Sequence, residues 1–345
     1  MARYLITGIA GFIGSALARA VLAQGDEVRG VDNFSTGRSE NLEEIRDLIE
    51  FREADILDLD AMHDACRGVD YIFHEAAIAS VPKSVLDPAG NNRANVDGTL
   101  NVLIAARDAK VKRIVYAASS AAYGDNPIQP KREDMSPDPI SPYAVSKLAA
   151  EQYMISFYRC YQLETVCLRY FNIFGPRQDP TSPYSGVLAK FISQMLARER
   201  PTILGDGETS RDFTHVDDAV QANLLASKAP AEEVVGRVFN VATGRPSSLN
   251  ETFRILKKLT GYDGDPGYGP ERAGDVKHSR ADISKAEKHL GYKPRVNFEQ
   301  GLKNTVDWYR TQMNRPAEGL TVGERMALIL NIHHRATKSV EPNHS

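Results

Sequence analysis

The sequence predicts an α/β protein, a doubly wound parallel sheet accompanied by a smaller α/β lobe. Three observations carry this. Short β-branched segments alternate with amphipathic ones through the first half of the chain. A glycine-spaced turn joins the first strand to the first helix. After Arg169 the texture changes to loops crowded with proline and glycine.

Arg3–Thr7, Glu27–Asp32, residues 50–55 and 70–76, Arg113–Ser119 and residues 165–169 have the length and composition of strands. Between the first two, Ile13, Ala16, Leu17, Ala20 and Val21 fall on one helical face, and Gly25 stands where glycine ends a helix. Residues 95–108 and 142–158 predict further helices. This alternation implies a parallel sheet covered on both faces. Residues 237–242 predict a strand returning to the first domain, and residues 250–259, Ser284–Leu290 and residues 298–309 predict helices. The expected division is 1–172 plus a return segment about 213–242 for the first domain. The smaller lobe takes 173–212 and 243–314. A tail, 315–345, carries an amphipathic helix at 323–332 and a polar, disordered end at 338–345.

Composition excludes several function classes. A net charge of -3 gives no drive toward nucleic acid or an anionic membrane. No stretch approaches the ~20 apolar residues of a membrane span, and the N-terminal apolar run is too short for a signal peptide. Cys66, Cys160 and Cys167 are odd in number and widely spaced. They read as small core hydrophobes in a reducing, cytoplasmic compartment. The eight histidines show no metal-ligand spacing, so no metal is expected.

Gly8-Ile9-Ala10-Gly11-Phe12-Ile13-Gly14 follows a strand and opens a helix. Glycines there let backbone approach a pyrophosphate, whose charge rests on the helix N-terminus. Asp32 closes the second strand eighteen residues beyond Gly14 (32 − 14). A carboxylate there accepts from both adenosine ribose hydroxyls and repels a 2′-phosphate, which favours NAD over NADP. Arg38, six residues on, leaves NADP open. Asp55-Ile56 is suited to an adenine-edge contact. The dinucleotide turn makes the expected sheet a Rossmann-type one.

Tyr143 and Lys147 stand four apart on one predicted helical face. A phenol near pKa ~10 is a poor base, and the expectation is that a neighbouring ammonium lowers it. Ser119 ends a strand 24 residues earlier (143 − 119), at the edge where parallel sheets bind ligands. Its hydroxyl is suited to relaying a proton to Tyr143, with Ser120 as a substrate contact.

Together these strings resemble the extended short-chain dehydrogenase/reductase family, and within it the UDP-hexose 4-epimerases. The nearest form is that of bacterial UDP-N-acetylglucosamine 4-epimerases serving surface-polysaccharide synthesis. Further strings carry the resemblance: His74-Glu75-Ala76-Ala77, Asn95-Val96-Asp97-Gly98-Thr99, Arg169-Tyr170-Phe171-Asn172, Ser210-Arg211-Asp212-Phe213 and Arg272 through Ser279. The resemblance implies Ser119, Tyr143 and Lys147 as the catalytic trio. It implies an NAD site lined by Gly8, Gly11, Phe12, Ile13, Gly14, Asp32, Asn33, Phe34, Ser35, Thr36, Gly37, Asp55, Ile56, Ala76, Ala77, Ala79, Asn95, Tyr143, Lys147 and Phe171. Asn172, Arg211, Arg272 and Asp275 would hold the uridine diphosphate and sugar, since a guanidinium forks onto paired phosphate oxygens. Ser80 and Val81 would neighbour the sugar.

A tyrosine at the position of Ser279 is associated in this family with excluding N-acetyl groups, and serine leaves room. The resemblance therefore implies 4-epimerisation of UDP-GlcNAc/UDP-GalNAc, beside UDP-Glc/UDP-Gal, through a transient 4-keto sugar. It also implies a homodimer formed by residues 95–108 and 142–158. Alternatives are a UDP-glucuronate 4-epimerase or decarboxylase, a nucleotide-sugar 4,6-dehydratase, and a non-catalytic NAD-sensing module. Ser120-Ala121 lacks the acidic residue typical of dehydratases and decarboxylases, and an intact tyrosine-lysine pair argues against the sensing module.

Overall fold

A computed structural model of the protein describes residues 1–179, 186–271 and 277–314. Arg272, Asp275 and the tail with its expected helix lie outside the described residues. The described residues form two compact units: 1–173, 210–246 and 277–296 in the first, and 174–179, 186–209, 247–271 and 297–314 in the second. Among the described residues no helix is long and apolar enough to cross a membrane.

The first unit is a Rossmann-type doubly wound fold. Its strands are β1 (Arg3–Thr7), β2 (Glu27–Asp32), β3 (Glu50–Glu53), β4 (Tyr71–His74), β5 (Arg113–Ser119), β6 (Glu164–Tyr170) and β7 (Arg237–Val241). They lie in the order β7-β6-β5-β4-β1-β2-β3, every pair parallel. Alternate side chains explain why both faces are covered. Tyr4, Ile6, Phe73, Val115 and Leu168 enter one core with Leu17 and Val21 of helix α1 (Phe12–Ala23). Leu5, Ile72, Ile114 and Tyr116 enter the other, with Met62 of helix α2 (Leu59–Cys66) and Val102 and Leu103 of a later helix, Gly98–Asp108.

Short helices α3 (Val81–Leu86) and α4 (Pro88–Asn92) follow β4. The helix expected from residue 95 begins as a wider i→i+5 turn at Arg93–Asp97 and becomes regular as α5 (Gly98–Asp108). The two strands expected to reach Asp55 and Ala76 stop earlier, at Glu53 and His74, which leaves both residues on loops beyond the sheet edge. Cys66 and Cys167 are buried, but Cys160 is exposed, contrary to its reading as a core residue. Its position four residues after Ser156 puts it on the outer side of the long helix α6 (Pro142–Tyr161).

Residues 277–296, expected in the smaller lobe, belong to the first unit. Backbone bonding draws them there: Lys131 donates to Arg280 O at 2.8 Å, Asp282 donates to Lys131 O at 2.9 Å, and Asn240 Nδ2 donates to Asp282 O at 3.0 Å. The second unit packs Val187–Leu196, Leu249–Thr260 and Phe298–Asn314 as helices, beside a two-stranded parallel pair, Thr202–Leu204 with Gly267–Gly269. Apolar residues of the first helix recur at 188, 191, 192 and 195, and all four are buried.

Helix α6 starts cleanly because Ser141 caps it, accepting from Ala144 N at 3.2 Å, with Pro142 in the first turn. Its inner face is anchored by an ion pair buried on both sides. Arg169 Nε and Nη2 donate to Glu151 Oε2 and Oε1 at 2.9 and 2.7 Å, and the side chains are 3% and 1% exposed. Removing one partner strands a buried charge, so Glu151→Ala should cost about 3–5 kcal/mol. Denaturant unfolding checks this, and a loss below about 1 kcal/mol would show that the pair does not anchor α6.

Candidate active site

β1 and β4 are neighbours whose onward connections run in opposite directions, β1 to β2 and β3, β4 to β5, β6 and β7. A crevice outside the strand ends opens at such a switch point. The glycine turn lies there. Gly8 has a φ of 69°, and a Cβ on it would sit 2.8 Å from Ala76 Cα. One on Gly14 would sit 2.2 Å from Gly8 O. These two glycines therefore let the turn close on itself. Gly11 is different, since its Cβ would meet only Gly8 O, at 3.0 Å. Gly11 caps α1 without any side-chain hydrogen bond, so the N-terminal turn keeps room for an anion.

Asp32 is 7% exposed, and burial pushes its carboxyl up. It accepts from Ala10 N and Phe34 N, each at 2.8 Å. Gly37 must be glycine to approach it, because a Cβ would stand 2.8 Å from Asp32 Oδ1. Asn33 Nδ2 donates to Asp55 Oδ2 at 2.8 Å, and Ser35 N donates to Asn33 Oδ1. Ile56 packs against Gly98. The residues from 32 to 37 and 55 to 56, separate in sequence, thus form one wall beside the turn. A bare helix N-terminus with a backbone-clamped carboxylate next to it fits a dinucleotide. Asn41 was not picked out in the sequence, yet its Nδ2 donates to Ala10 O at 2.9 Å and holds the turn from below.

A second network sits under the crevice. His74 Nδ1 is 2.7 Å from Thr7 Oγ1, and Nε2 is 2.9 Å from Thr99 Oγ1. Thr99 spends its own proton on Asn95 O at 2.7 Å, so His74 must donate through Nε2 and accept at Nδ1. Complete burial agrees with a neutral ring, pushing its pKa down to about 3. Asn95, expected at the cofactor, is itself buried. It accepts from Ile78 N at 2.8 Å and donates to Ser146 Oγ at 3.0 Å, tying the loop of Ala76, Ala77 and Ala79 to α6.

Tyr143 and Lys147 project from α6 toward the ends of β4, β5 and β6. Burial pushes the Tyr143 phenol up, and a hydrogen bond with Ser119 opposes the rise. The expected lowering by Lys147 does not emerge, for a geometric reason. The Lys147 ammonium rests 4.4 Å above the Tyr116 ring, not against the phenol. It is 4% exposed, and among the described residues it makes no hydrogen bond or ion pair. Burial brings its pKa down to about 8, opposed first by Glu75. An ammonium held in a crevice without an acceptor is a site for a ligand's oxygens.

Ser119 closes β5 in register with Tyr170 of β6, and its Oγ accepts from Ala121 N at 3.2 Å. Ser120 begins the turn after it. Ser80 is buried and caps α3, accepting from Lys83 N at 3.2 Å, while Val81 is exposed. Phe171 is fully buried against Tyr123, so its side chain supports this edge from beneath. Asn172 is exposed at a φ of 38°. Arg211 Nη1 donates to Ser210 O at 2.9 Å, and Ser279 N donates to Ser210 O at 3.1 Å. Arg211 and Ser279 therefore share one backbone junction, made rigid by Asp212. That fully buried carboxylate accepts from Thr243 N, Thr243 Oγ1, Gly244 N and Ala281 N.

Known proteins resemble this chain in sequence and fold. Residues 4–242 match the model of the "NAD dependent epimerase/dehydratase family". A UDP-glucose 4-epimerase of Mycolicibacterium smegmatis is 40% identical over 314 residues, 90% of this chain and 99% of the relative. The crystal structure of a Thermotoga maritima UDP-glucose 4-epimerase with UDP-glucose superposes with a TM-score of 0.86 at 41% identity, covering 90% of this chain and 100% of that one. A UDP-N-acetylglucosamine 4-epimerase from Methanobrevibacter ruminantium, in complex with UDP-N-acetylmuramic acid, gives 0.86 at 40% identity, over 90% and 99%. The matched residues take in the glycine turn, Asp32, Ser119, Tyr143 and Lys147, and this chain belongs to the NAD dependent epimerase/dehydratase family.

Proposed function

We propose that the chain catalyses NAD-dependent 4-epimerisation of a UDP-sugar, with UDP-GlcNAc/UDP-GalNAc as the preferred pair and UDP-Glc/UDP-Gal accepted beside it. One observation carries this reading: Tyr143, bonded to Ser119, stands one helical turn from an ammonium that has no hydrogen-bond acceptor among the described residues. NAD is the cofactor, and when bound it supplies reversible hydride chemistry at sugar carbon 4.

The residues supply the rest. The Tyr143 oxygen takes the 4-hydroxyl proton, directly or through Ser119 Oγ, and returns it once the sugar presents its other face. Its raised pKa means that the phenolate forms only when cations gather around it, and Lys147 is this chain's own. The Lys147 ammonium also holds cofactor ribose oxygens. Asn172, Arg211, Arg272 and Asp275 hold the uridine diphosphate and sugar, the guanidinium groups taking the diphosphate, while the hexose turns over. Ser279 leaves space for a 2-acetamido group. The relatives named above differ in their sugar, which supports a preference set by side chains such as this one. The protein acts in the cytoplasm as a homodimer joined through α5 and α6, where Val145, Tyr153 and Tyr161 are exposed on α6.

The direct test is chromatographic product analysis with UDP-GlcNAc and UDP-Glc offered separately. Interconversion of neither sinks the proposal. Tyr143→Phe should lower kcat by about 10²–10⁴-fold while NAD still binds, and near-normal turnover removes Tyr143 as the base. Ser279→Tyr should depress UDP-GlcNAc turnover at least about tenfold relative to UDP-Glc. An unchanged ratio between the two sugars would count against the spatial argument.

A further inference from the structure

Helix α6 carries Tyr143 in its first turn, where an α-helix leaves backbone amides without acceptors of its own. Pro142 has no amide to satisfy. Ser141 Oγ accepts from Ala144 N at 3.2 Å, and Val145 N donates to Ser141 O at 2.9 Å. The amide of Tyr143 is left, and its acceptor comes from another helix. It donates to Ser84 Oγ of α3 at 3.0 Å. Ser84 is fully buried, and its own hydroxyl donates to Val81 O at 2.7 Å. Two hydrogen bonds therefore join the backbone of Val81, expected beside the sugar, to the backbone of the proposed base.

The same segment holds Tyr143 from its other side. Ser146 Oγ lies 2.9 Å from both Tyr143 O and Asn91 Oδ1, and Asn91 Nδ2 donates to Ile78 O at 3.1 Å. Asn91 belongs to α4, which Asp87 joins to α3 by accepting from Gly90 N at 2.8 Å. Residues 78–91 thus reach both peptide groups of Tyr143, the amide through Ser84 and the carbonyl by way of Ser146. The two ties are unequal. A helical carbonyl is also served by the backbone ladder, whereas the Tyr143 amide has Ser84 alone among the described residues. Without that acceptor the buried first turn must shift to find another.

We propose that Ser84 is a positioning residue for the reaction, tying the first turn of α6 to the helix expected beside the sugar so that Tyr143 and Val81 keep one spacing. The inference rests on the proposed function for its effect on rate, while the hydrogen bonds stand without it. Apolar packing alone holds two helices together but lets them slide. A directional bond to one amide fixes the height of α3 along α6. The hydroxyl is needed in both capacities, accepting from Tyr143 N and donating to Val81 O. Alanine removes both, cysteine keeps the bulk but is weak in each, and threonine keeps both. A displacement of about 1 Å at a reacting group costs about 10²-fold in rate, so a small slip of this turn is enough to be measured.

Two measurements on the full-length protein separate the bond from its consequence. Hydrogen exchange of the ligand-free protein, resolved to single amides by fragmentation in the mass spectrometer, reads the bond. In Ser84→Ala the Tyr143 amide should exchange at least about tenfold faster, while the Ala144 amide, held by Ser141, keeps its wild-type rate. An unchanged Tyr143 amide, or equal acceleration at both, overturns the inference. UDP-sugar turnover reads the consequence. Ser84→Ala should lower kcat about 10- to 100-fold with KM and NAD affinity within about twofold of wild type. Ser84→Thr should restore slow exchange and most of the rate together, and restored exchange without rate overturns the inference, as does a loss confined to KM. Ser84→Cys supplies both readings if the alanine form does not fold. Thr305→Ala removes a buried hydroxyl from helix Phe298–Asn314 and should leave kcat unchanged, which controls for a general loss of stability. A wild-type protein that turns over no UDP-sugar removes the proposed function but leaves the exchange result standing.

Discussion

The site depends on how α6 is turned about its axis. Tyr143, Lys147 and Glu151 are four apart and share one face, so whatever fixes Glu151 fixes the other two. Arg169 does so with a two-point grip, and the grip is itself braced. Its guanidinium lies 4.6 Å over the Tyr123 ring, and Tyr123 OH donates to Asn240 Oδ1 at 2.6 Å. Nearer the helix N-terminus, Ser146 donates to Asn91 Oδ1 at 2.9 Å and receives from Asn95. A buried ion pair of this geometry contributes little net stability against an apolar substitute. Its value here is orientation, since a helix held only by apolar packing can rotate or slide at small cost.

A second constraint is electrostatic. Among the described residues the crevice keeps one ammonium on an aromatic ring and without a hydrogen-bond acceptor, while its neighbours are neutral or already paired. His74 is spent on two threonines and is neutral throughout the physiological range. Burial makes charge expensive for Tyr143 and Lys147 alike, the phenol rising and the ammonium falling. Both shifts favour the uncharged forms, so the phenolate and the ammonium each need a compensating charge in the crevice.

Much of this was legible beforehand because it is local. The strands were found from β-branched runs, and the bounds of β1, β2 and β5 agree to the residue. The turn, Asp32 and the tyrosine-lysine spacing are motifs whose geometry is set within one strand-turn-helix unit. What escaped reading depends on contacts distant in sequence. Helix Val216–Lys228 did not stand out, since its buried positions include Asp218, Asn223 and Ser227 and so blur the apolar stripe. Residues 277–296 read along the chain as part of the smaller lobe, because backbone pairing with Lys131, and Asp212 accepting from Ala281, cannot be seen in composition.

The sequence by itself determined the doubly wound sheet, the dinucleotide turn and the order of the reactive residues, since hydrophobic period and glycine placement are read along the chain. Tertiary structure alone decided where charge resides. Lys147 lies on an aromatic ring and not on the phenol, His74 is neutral, and Glu75 is carried to Tyr170 over an intervening strand. Desolvation and through-space coupling depend on what surrounds a group in three dimensions, and the linear order of residues does not contain that information.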